Sequence, residues 1–386
     1  MLDIYLLCYI ELVHMNKKAR EKHITLDDGS YLEYVPKDPR VYFHKVNIFY
    51  GESNSGKTVV MLEAMKMLSD YIPVWFIISP TNKSNNSYTD RIPPCCIKYT
   101  VKIEFLETLY KRQEYLMEIY RQVNRLPVLE SLFKRCADSE VSNIVSQIKE
   151  NAKKKITRVK RDTSLDVSMK KAHMKSINKT LTEYLTAIYK TIIRYHKQKI
   201  EKLSNLTVDE AITLKFLDLN PNVGLIFDDT GAEVEKYGKK EVVQKFFYQG
   251  RHGFATSFFL YQDDKTMKPG LRRNTPTGVF TTPESATSFF ETKTNAHSKT
   301  IRQKAILAIK GCFELDKGED EHYRKLVYQK GKVNPFGYMI ANNYEDDDFK
   351  VGCEALWEFQ RKLPVRSRED TQKSNPFLSQ YIYADT

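Results

Sequence analysis

Apolar residues fall into short unbroken runs early in the chain and again past residue 222, with segments of helical spacing between them. Val46-Asn47-Ile48-Phe49-Tyr50 is one such run, β-branched and aromatic, and predicts a buried strand. Behind it Val59, Met61, Leu62, Met65 and Leu68 recur at helical spacing. Val74-Trp75-Phe76-Ile77-Ile78 predicts a second strand, apolar throughout as in a parallel sheet covered on both faces. It empties into SPTNKSNNSYTD, a polar loop at a strand C-terminal end, where open α/β sheets place their ligands. KYTVKIEF, reaching Phe105, predicts a further short strand.

From about residue 106 to 215 Gly and Pro almost vanish and helical spacing persists, which predicts a helical insertion between sheet strands. The sheet resumes at Val223-Gly224-Leu225-Ile226-Phe227 and ends in Asp228-Asp229. A helix over 239–249 and a strand from Phe254 to Tyr261, closed by Gln262-Asp263-Asp264, come next. Thr277-Gly278-Val279-Phe280 predicts the last core strand, 283–310 a helix, and LVYQKGKVNPFGYMIA a hairpin whose turn holds Gly331 and Pro335. Upstream, two strand-like runs flank the turn Asp27-Asp28-Gly29-Ser30. The expected division is an N-terminal extension over 1–45, a first half-core over 46–105, the basic insertion over 106–215, a second half-core over 216–282, and a C-terminal helix, hairpin and charged tail over 283–386. The fold class expected is α/β, a mostly parallel sheet flanked by helices.

Composition narrows the function. At 386 residues and 41% hydrophobic content, the chain can bury a sizeable core, which excludes wholesale disorder. A net charge of +12 points to a polyanionic partner, most commonly nucleic acid. The insertion is the focus of that charge: residues 153–202 hold 15 Lys/Arg against 4 Asp/Glu, with Tyr184, Tyr189 and Tyr195 interleaved. It reads either as a nucleic-acid or partner surface or as an ordinary solvated hairpin. The six cysteines (Cys8, Cys95, Cys96, Cys136, Cys312, Cys353) form no CxxC pair, so a disulfide framework and a zinc site are both unsupported, and a reducing, intracellular compartment is expected. The opening MLDIYLLCYIELV is interrupted by Asp3 and Glu11 and is too short for an integral membrane span; Met15 is an alternative start.

The chemistry concentrates in Gly51-Glu52-Ser53-Asn54-Ser55-Gly56-Lys57-Thr58, which fits G-x-x-x-x-G-K-[ST] between a strand and a helix. Glycines let successive N–H groups turn toward phosphate oxygens, and the helix N-terminus adds a favourable dipole. Lys57 is placed to reach the β- and γ-phosphates of ATP, and the Thr58 hydroxyl to hold Mg²⁺. Hydrolysis also needs an acidic residue at a neighbouring strand tip and a group that orients water. In GLIFDDT, Asp228 suits the metal and Asp229 the general base. Gln262, ending the next strand, is a candidate γ-phosphate sensor, and Arg251, Arg272 and Arg273 are three candidates for neutralising charge in the transition state.

Taken as an ordered set, these segments resemble the poxvirus-type genome-packaging ATPases of large DNA viruses, within the FtsK–HerA superfamily of P-loop motors. The resemblance rests on NIFYGESNSGKT, WFIISPTNKSNNSY, LIFDD, RH before the strand ending in Gln262, and LRRN, and covers about residues 41–282. It implies a P-loop NTPase with a RecA/FtsK-like central sheet, and an ATP-driven translocase that packages viral double-stranded DNA into a capsid. It further implies a homo-oligomeric ring, pentamer or hexamer, a capsid or portal component as partner, and a place in the host cytoplasm or the virion. Carried across, Lys57 and Thr58 bind phosphate and Mg²⁺, Asp228 completes the metal shell, Asp229 is the base, Gln262 the sensor and Arg272 the arginine acting in trans. Asp229 stands where many cellular members carry Glu, and the insertion is longer than the family pattern. Competing expectations are a helicase or cellular-type FtsK–HerA motor, and a zonula-occludens-toxin-like phage assembly NTPase.

Overall fold

A computed structural model of the chain describes residues 23–36, 38–89, 91–262, 267, 269–295, 297–313, 323–330 and 336–341. The apolar opening run, the hairpin turn with Gly331 and Pro335, and the tail from Lys362 lie outside the described residues. The strands are β1 (His23–Thr25), β2 (Tyr31–Tyr34), β3 (Val46–Tyr50), β4 (Val74–Ile78), β5 (Ile97–Lys98), β6 (Val223–Asp228), β7 (Ala255–Tyr261), β8 (Thr277–Phe280), β9 (Tyr323–Gln329) and β10 (Phe336–Ala341). The helices are α1 (Lys57–Met67), α2 (Asn82–Asn85), α3 (Ile103–Val123), α4 (Leu126–Lys134), α5 (Ser139–Arg161), α6 (Val167–Tyr195), α7 (Lys197–Glu201), α8 (Val208–Lys215), α9 (Gly231–Tyr237), α10 (Glu241–Gln249), α11 (Pro269–Asn274), α12 (Pro283–Glu291) and α13 (Lys299–Phe313).

The strands make one sheet in the order β1-β2-β10-β9-β8-β3-β7-β6-β4-β5. From β8 to β5 every pairing is parallel; β9 joins β8 antiparallel, and β10 joins β9 antiparallel. The middle strands β3, β6 and β7 are buried at every position, as expected where helices cover both faces. Stacked rings fill one side, Phe259 lying 4.5 Å from both Phe227 and Phe247. Gly224 is needed where β6 passes β4, because a Cβ there would run into the Trp75 ring.

Two expected elements differ. The strand over KYTVKIEF shrinks to Ile97–Lys98, and helix α3 begins at Ile103. Val101, Ile103 and Phe105 alternate like a strand, but from Ile103 onward the first buried positions are Phe105, Leu106 and Leu109, a helical stripe that prevails. The helix expected over 283–310 is two, α12 and α13, parted by a 3₁₀ turn at Lys293–Asn295, where buried Asn295 donates from Nδ2 to the Phe289 carbonyl at 2.7 Å.

Two compact units make up the chain. The sheet belongs to Met1–Gln113 with Asn222–Thr386, and the other unit is Glu114–Pro221. The second unit has a core of its own, including Leu129, Leu132, Phe133, Leu185, Tyr189 and Ile193. Its α8 opens with a capping box, Thr207 paired reciprocally with Glu210. Glu210, 2% exposed, also binds Arg135 through Nε at 2.9 Å and Nη2 at 3.0 Å. Burial opposes its charge, but the Thr207 N–H, the Ser131 hydroxyl and Arg135 together hold the carboxyl below its usual range.

Candidate active site

The sheet's C-terminal edge carries the chemistry. Leaving β3, the chain turns at Gly51, whose N–H donates to the Tyr261 carbonyl at 3.2 Å. A Cβ at Gly51 would collide with the hydroxyls of Thr281 and Ser55, so only glycine lets the loop pass. Those two hydroxyls are bonded to each other at 2.6 Å, and Thr281 is tied to Tyr50 O through its N–H at 2.9 Å. Asn54 (φ 62°) and Gly56 (φ 83°) take left-handed backbone, which curls the loop into the N-terminus of α1. The result is a glycine cradle of the kind that receives phosphate.

Lys57, half-buried at the first position of α1, lies across this loop, its Nζ donating to the carbonyls of Gly51 and Glu52, each at 2.7 Å. Burial lowers its pKa, and the charges of Asp228, Asp229 and Glu52 pull the other way. The charges of both acids thus reach the loop lysine, although they are separated from it by most of the first two-thirds of the chain. Thr58, half-buried, follows on the same helical turn.

The acid pair is not on the strand next to β3. β7 stands between them, paired with β3 on one side and β6 on the other. Register keeps the tips level: Tyr50 faces Tyr261, and Asp228 faces Leu260. Two inter-strand spacings, about 10 Å, separate the two backbones, a gap that Lys57, Asp228 and a triphosphate with its ion can fill from both sides. The expectation of adjacent tips is corrected accordingly, and the intervening place belongs to β7, which Gln262 directly follows. Gln262 is exposed and donates from Nε2 to Ser53 Oγ at 3.4 Å, so its amide overhangs the phosphate loop.

Asp228 and Asp229 are neighbours with opposite environments. Asp228 is 8% exposed, and burial raises its pKa; hydrogen bonds from Tyr88 and Ser79 and the charge of Lys57 counter that rise, while Asp229 adds to it. Tyr88, fully buried, donates its hydroxyl to Asp228 Oδ2 at 2.8 Å. Its own position is set by Asn82, whose Oδ1 accepts the Tyr88 N–H at 3.0 Å. Asp229 breaks from the strand in left-handed backbone (φ 56°), which Asp tolerates better than most residues, and its side chain is exposed. Such a backbone outlier at a strand tip fits a functional position.

Tyr88, Ser79 and Asn82 were given no role on sequence grounds, although all three lie in the polar SPTNKSNNSY loop whose placement at a strand end marks a ligand edge. Arg272 is 7% exposed, and its Nη2 donates to Thr294 Oγ1 at 3.2 Å. The side chains of Arg251 and Arg273 lie outside the described residues. Mg²⁺ sites of this type draw on one hydroxyl, one carboxylate and phosphate oxygens rather than a cage of protein ligands. Thr58 and Asp228 are the hydroxyl and carboxylate of that kind here; among the described residues no group of three or more His, Cys, Asp and Glu is placed to hold a metal. Among the described residues, too, no helix is long and apolar enough to cross a membrane.

A buried strand, a glycine loop, a helix opening on Lys57, and an acid pair one strand beyond its neighbour define an α/β P-loop NTPase fold. No protein-family model matches the chain. It is 29% identical over 379 residues to the uncharacterized protein B354L of African swine fever virus (isolate Tick/Malawi/Lil 20-1/1983), spanning 93% of this chain and 98% of that protein. Among solved structures it is similar to the genome packaging NTPase B204 of Sulfolobus turreted icosahedral virus 2 in complex with AMP (10% identity, TM-score 0.34, 81% of this chain and 100% of that one). It is also similar to the pCW3 conjugation coupling protein TcpA with ATPγS (10% identity, TM-score 0.35, 89% and 71%). At those TM-scores the fold assignment rests on the strand order and the loop themselves.

Proposed function

We propose that this chain is a Mg²⁺-dependent ATPase that moves double-stranded DNA, and that it packages a viral genome into a capsid as one copy of a ring. The observation that carries the ATPase reading is the convergence of Lys57, Asp228 and Asp229 on one edge, with Gln262 between them. The ordered motif series supports the motor, and the net charge of +12 supports a nucleic-acid track. Similarity to a viral protein along 93% of the chain supports the viral setting.

In this reading the loop N–H groups and Lys57 hold the β- and γ-phosphates, with Lys57 exchanging the Gly51 and Glu52 carbonyls for phosphate oxygens. Bound Mg²⁺ would supply charge neutralisation on those oxygens, held by Thr58 and Asp228. Tyr88 aims the Asp228 carboxylate and favours its charged form against the effect of burial. Asp229, exposed beside it, takes the proton from the attacking water, and Gln262 orients that water or reads the γ-phosphate. An arginine from a neighbouring copy completes the charge balance and is worth on the order of 10³–10⁵ in rate. For Arg272 to serve, its guanidinium must leave Thr294 and reach the surface. The test is ATP turnover with and without duplex DNA. We expect turnover that duplex DNA stimulates and that Lys57→Ala abolishes; turnover untouched by Lys57→Ala would refute the site.

A further inference from the structure

We propose that the distal half of the α5–α6 hairpin is a DNA-gripping arm that holds the phosphate backbone of a duplex without reading bases. The inference deepens the motor reading and rests on it for the choice of a duplex as ligand. Its geometry belongs to the second unit alone.

The stalk of the hairpin is anchored in that unit's core by Val145 on α5 and by Leu185, Tyr189 and Ile193 on α6, and the last buried residue of α5 is Ala152. Beyond those anchors the character changes: not one residue from 153 to 184 is buried. At 1.5 Å per residue the arm runs on the order of 20 Å past its last core contact. Ile156, Val159, Met174, Ile177 and Leu181 are half-buried, but with no fully buried residue the pair gains little from burial against the chain entropy it costs, so stability alone does not explain its length.

Charge does. Residues 153–179 hold ten Lys/Arg and two Asp. Lys153, Lys154, Lys155, Arg158, Lys160 and Arg161 are all exposed, and among the described residues none of them is in an ion pair. Both acids are committed to the turn: Asp162 accepts from the Ser164 N–H at 2.9 Å and from its hydroxyl, and Asp166 caps α6 by accepting from Met169 N at 2.7 Å. Their carboxylates stabilise the hairpin tip rather than being spread along the basic faces. A B-form duplex presents one negative charge per about 1.7 Å of axis, so an arm of this length can lie against roughly a dozen phosphates. Exposed Lys and Arg on long flexible stems, spread along two long helices with Asn178 the one exposed amide side chain between 153 and 184, suit contact with backbone rather than with base edges.

The experiment uses the full chain. Lys154→Gln, Arg158→Gln and Arg161→Gln fall at i, i+4 and i+7 on one face of α5 and remove three charges where nothing is buried. Duplex DNA affinity is measured against salt concentration for the wild type, for this triple variant, for its charge-keeping counterpart (Lys154→Arg, Arg158→Lys, Arg161→Lys), and for a control on exposed positions of α13 (Lys299→Gln, Arg302→Gln, Lys304→Gln). We expect the arm variant to lower the slope of log K against log salt by about 2 to 3 and to weaken binding about tenfold or more at low salt, equally for unrelated sequences. The charge-keeping variant should bind as the wild type does, and the control should change little. An unchanged slope in the arm variant, an equal loss in the α13 control, or a loss in the charge-keeping variant would overturn the arm. ATP turnover with and without duplex DNA, measured in parallel, separates the two claims: if it is absent in both while arm-dependent binding persists, the motor reading fails and the arm stands. If turnover responds to DNA but the arm variant binds normally, the arm fails and the motor stands.

Discussion

Asp228 is a carboxylate held in a place that disfavours its charge, and Tyr88 is the residue that makes the charge tolerable. Removing only the hydroxyl, by Tyr88→Phe, should destabilise the fold by about 1–2 kcal/mol at pH 7, measured by urea unfolding. The sign of the pH dependence follows from Asp228, whose folded pKa is already raised by burial and rises further without Tyr88. The deficit is full where Asp228 is ionised and shrinks as pH falls through that raised pKa, because a protonated carboxyl no longer needs the donor. Lys57, Thr58, Asp228 and Asp229 were legible in the sequence because each sits in a contiguous motif with a strand beside it. Tyr88 was not, since its partner is 140 residues away and a lone tyrosine in a polar loop carries no local signal.

At the scale of elements, β3, β4 and β6 could be read directly from the sequence, since strands buried on both faces show as nearly continuous apolar runs. The order of strands could not: local pattern contains nothing that places β7 between β3 and β6, and that insertion sets the width of the site. The α3 start was misread because three alternating apolar residues look alike in both periods. Pattern also hides Lys325, on β9, which is completely buried with its Nζ 5.6 Å from the centre of the Tyr42 ring. Burial pushes its pKa down to about 8 from the ordinary 10.5, and the charge of Glu63 on α1 resists that fall. Below pH 8 the lysine is charged in folded and unfolded chains alike and the fold bears the full cost; between 8 and 10.5 the folded state sheds its proton first, so stability gained by the wild type rises with pH. Relative to Lys325→Met, wild-type stability in urea should therefore improve by on the order of 3 kcal/mol from pH 7.5 to 10.5. No change in that difference would place Lys325 in water.

At the scale of the whole molecule, two compact units are carried on one chain, and the helical one has the caps and core of an independent domain. Expressed alone, Glu114–Pro221 should give a helical circular dichroism spectrum and a single cooperative melt. Glu210→Gln should cost that fragment about 2–3 kcal/mol at pH 7, since Arg135 loses its buried anion. Because the folded Glu210 pKa is lowered, its contribution is present above pH 4.5 and fades as pH falls through the depressed value. In the sheet unit, the claim on which function depends is that the loop at 51–58 and the acids at 228 and 229 hold a single nucleotide. Titration of a fluorescent ATP analogue in Mg²⁺ and in EDTA tests it most directly. Lys57→Ala should weaken binding about tenfold or more in both media, while Asp228→Asn should leave the EDTA affinity alone and erase the gain that Mg²⁺ brings. If Asp228→Asn keeps the full Mg²⁺ gain, the acid pair and the phosphate loop do not serve one site.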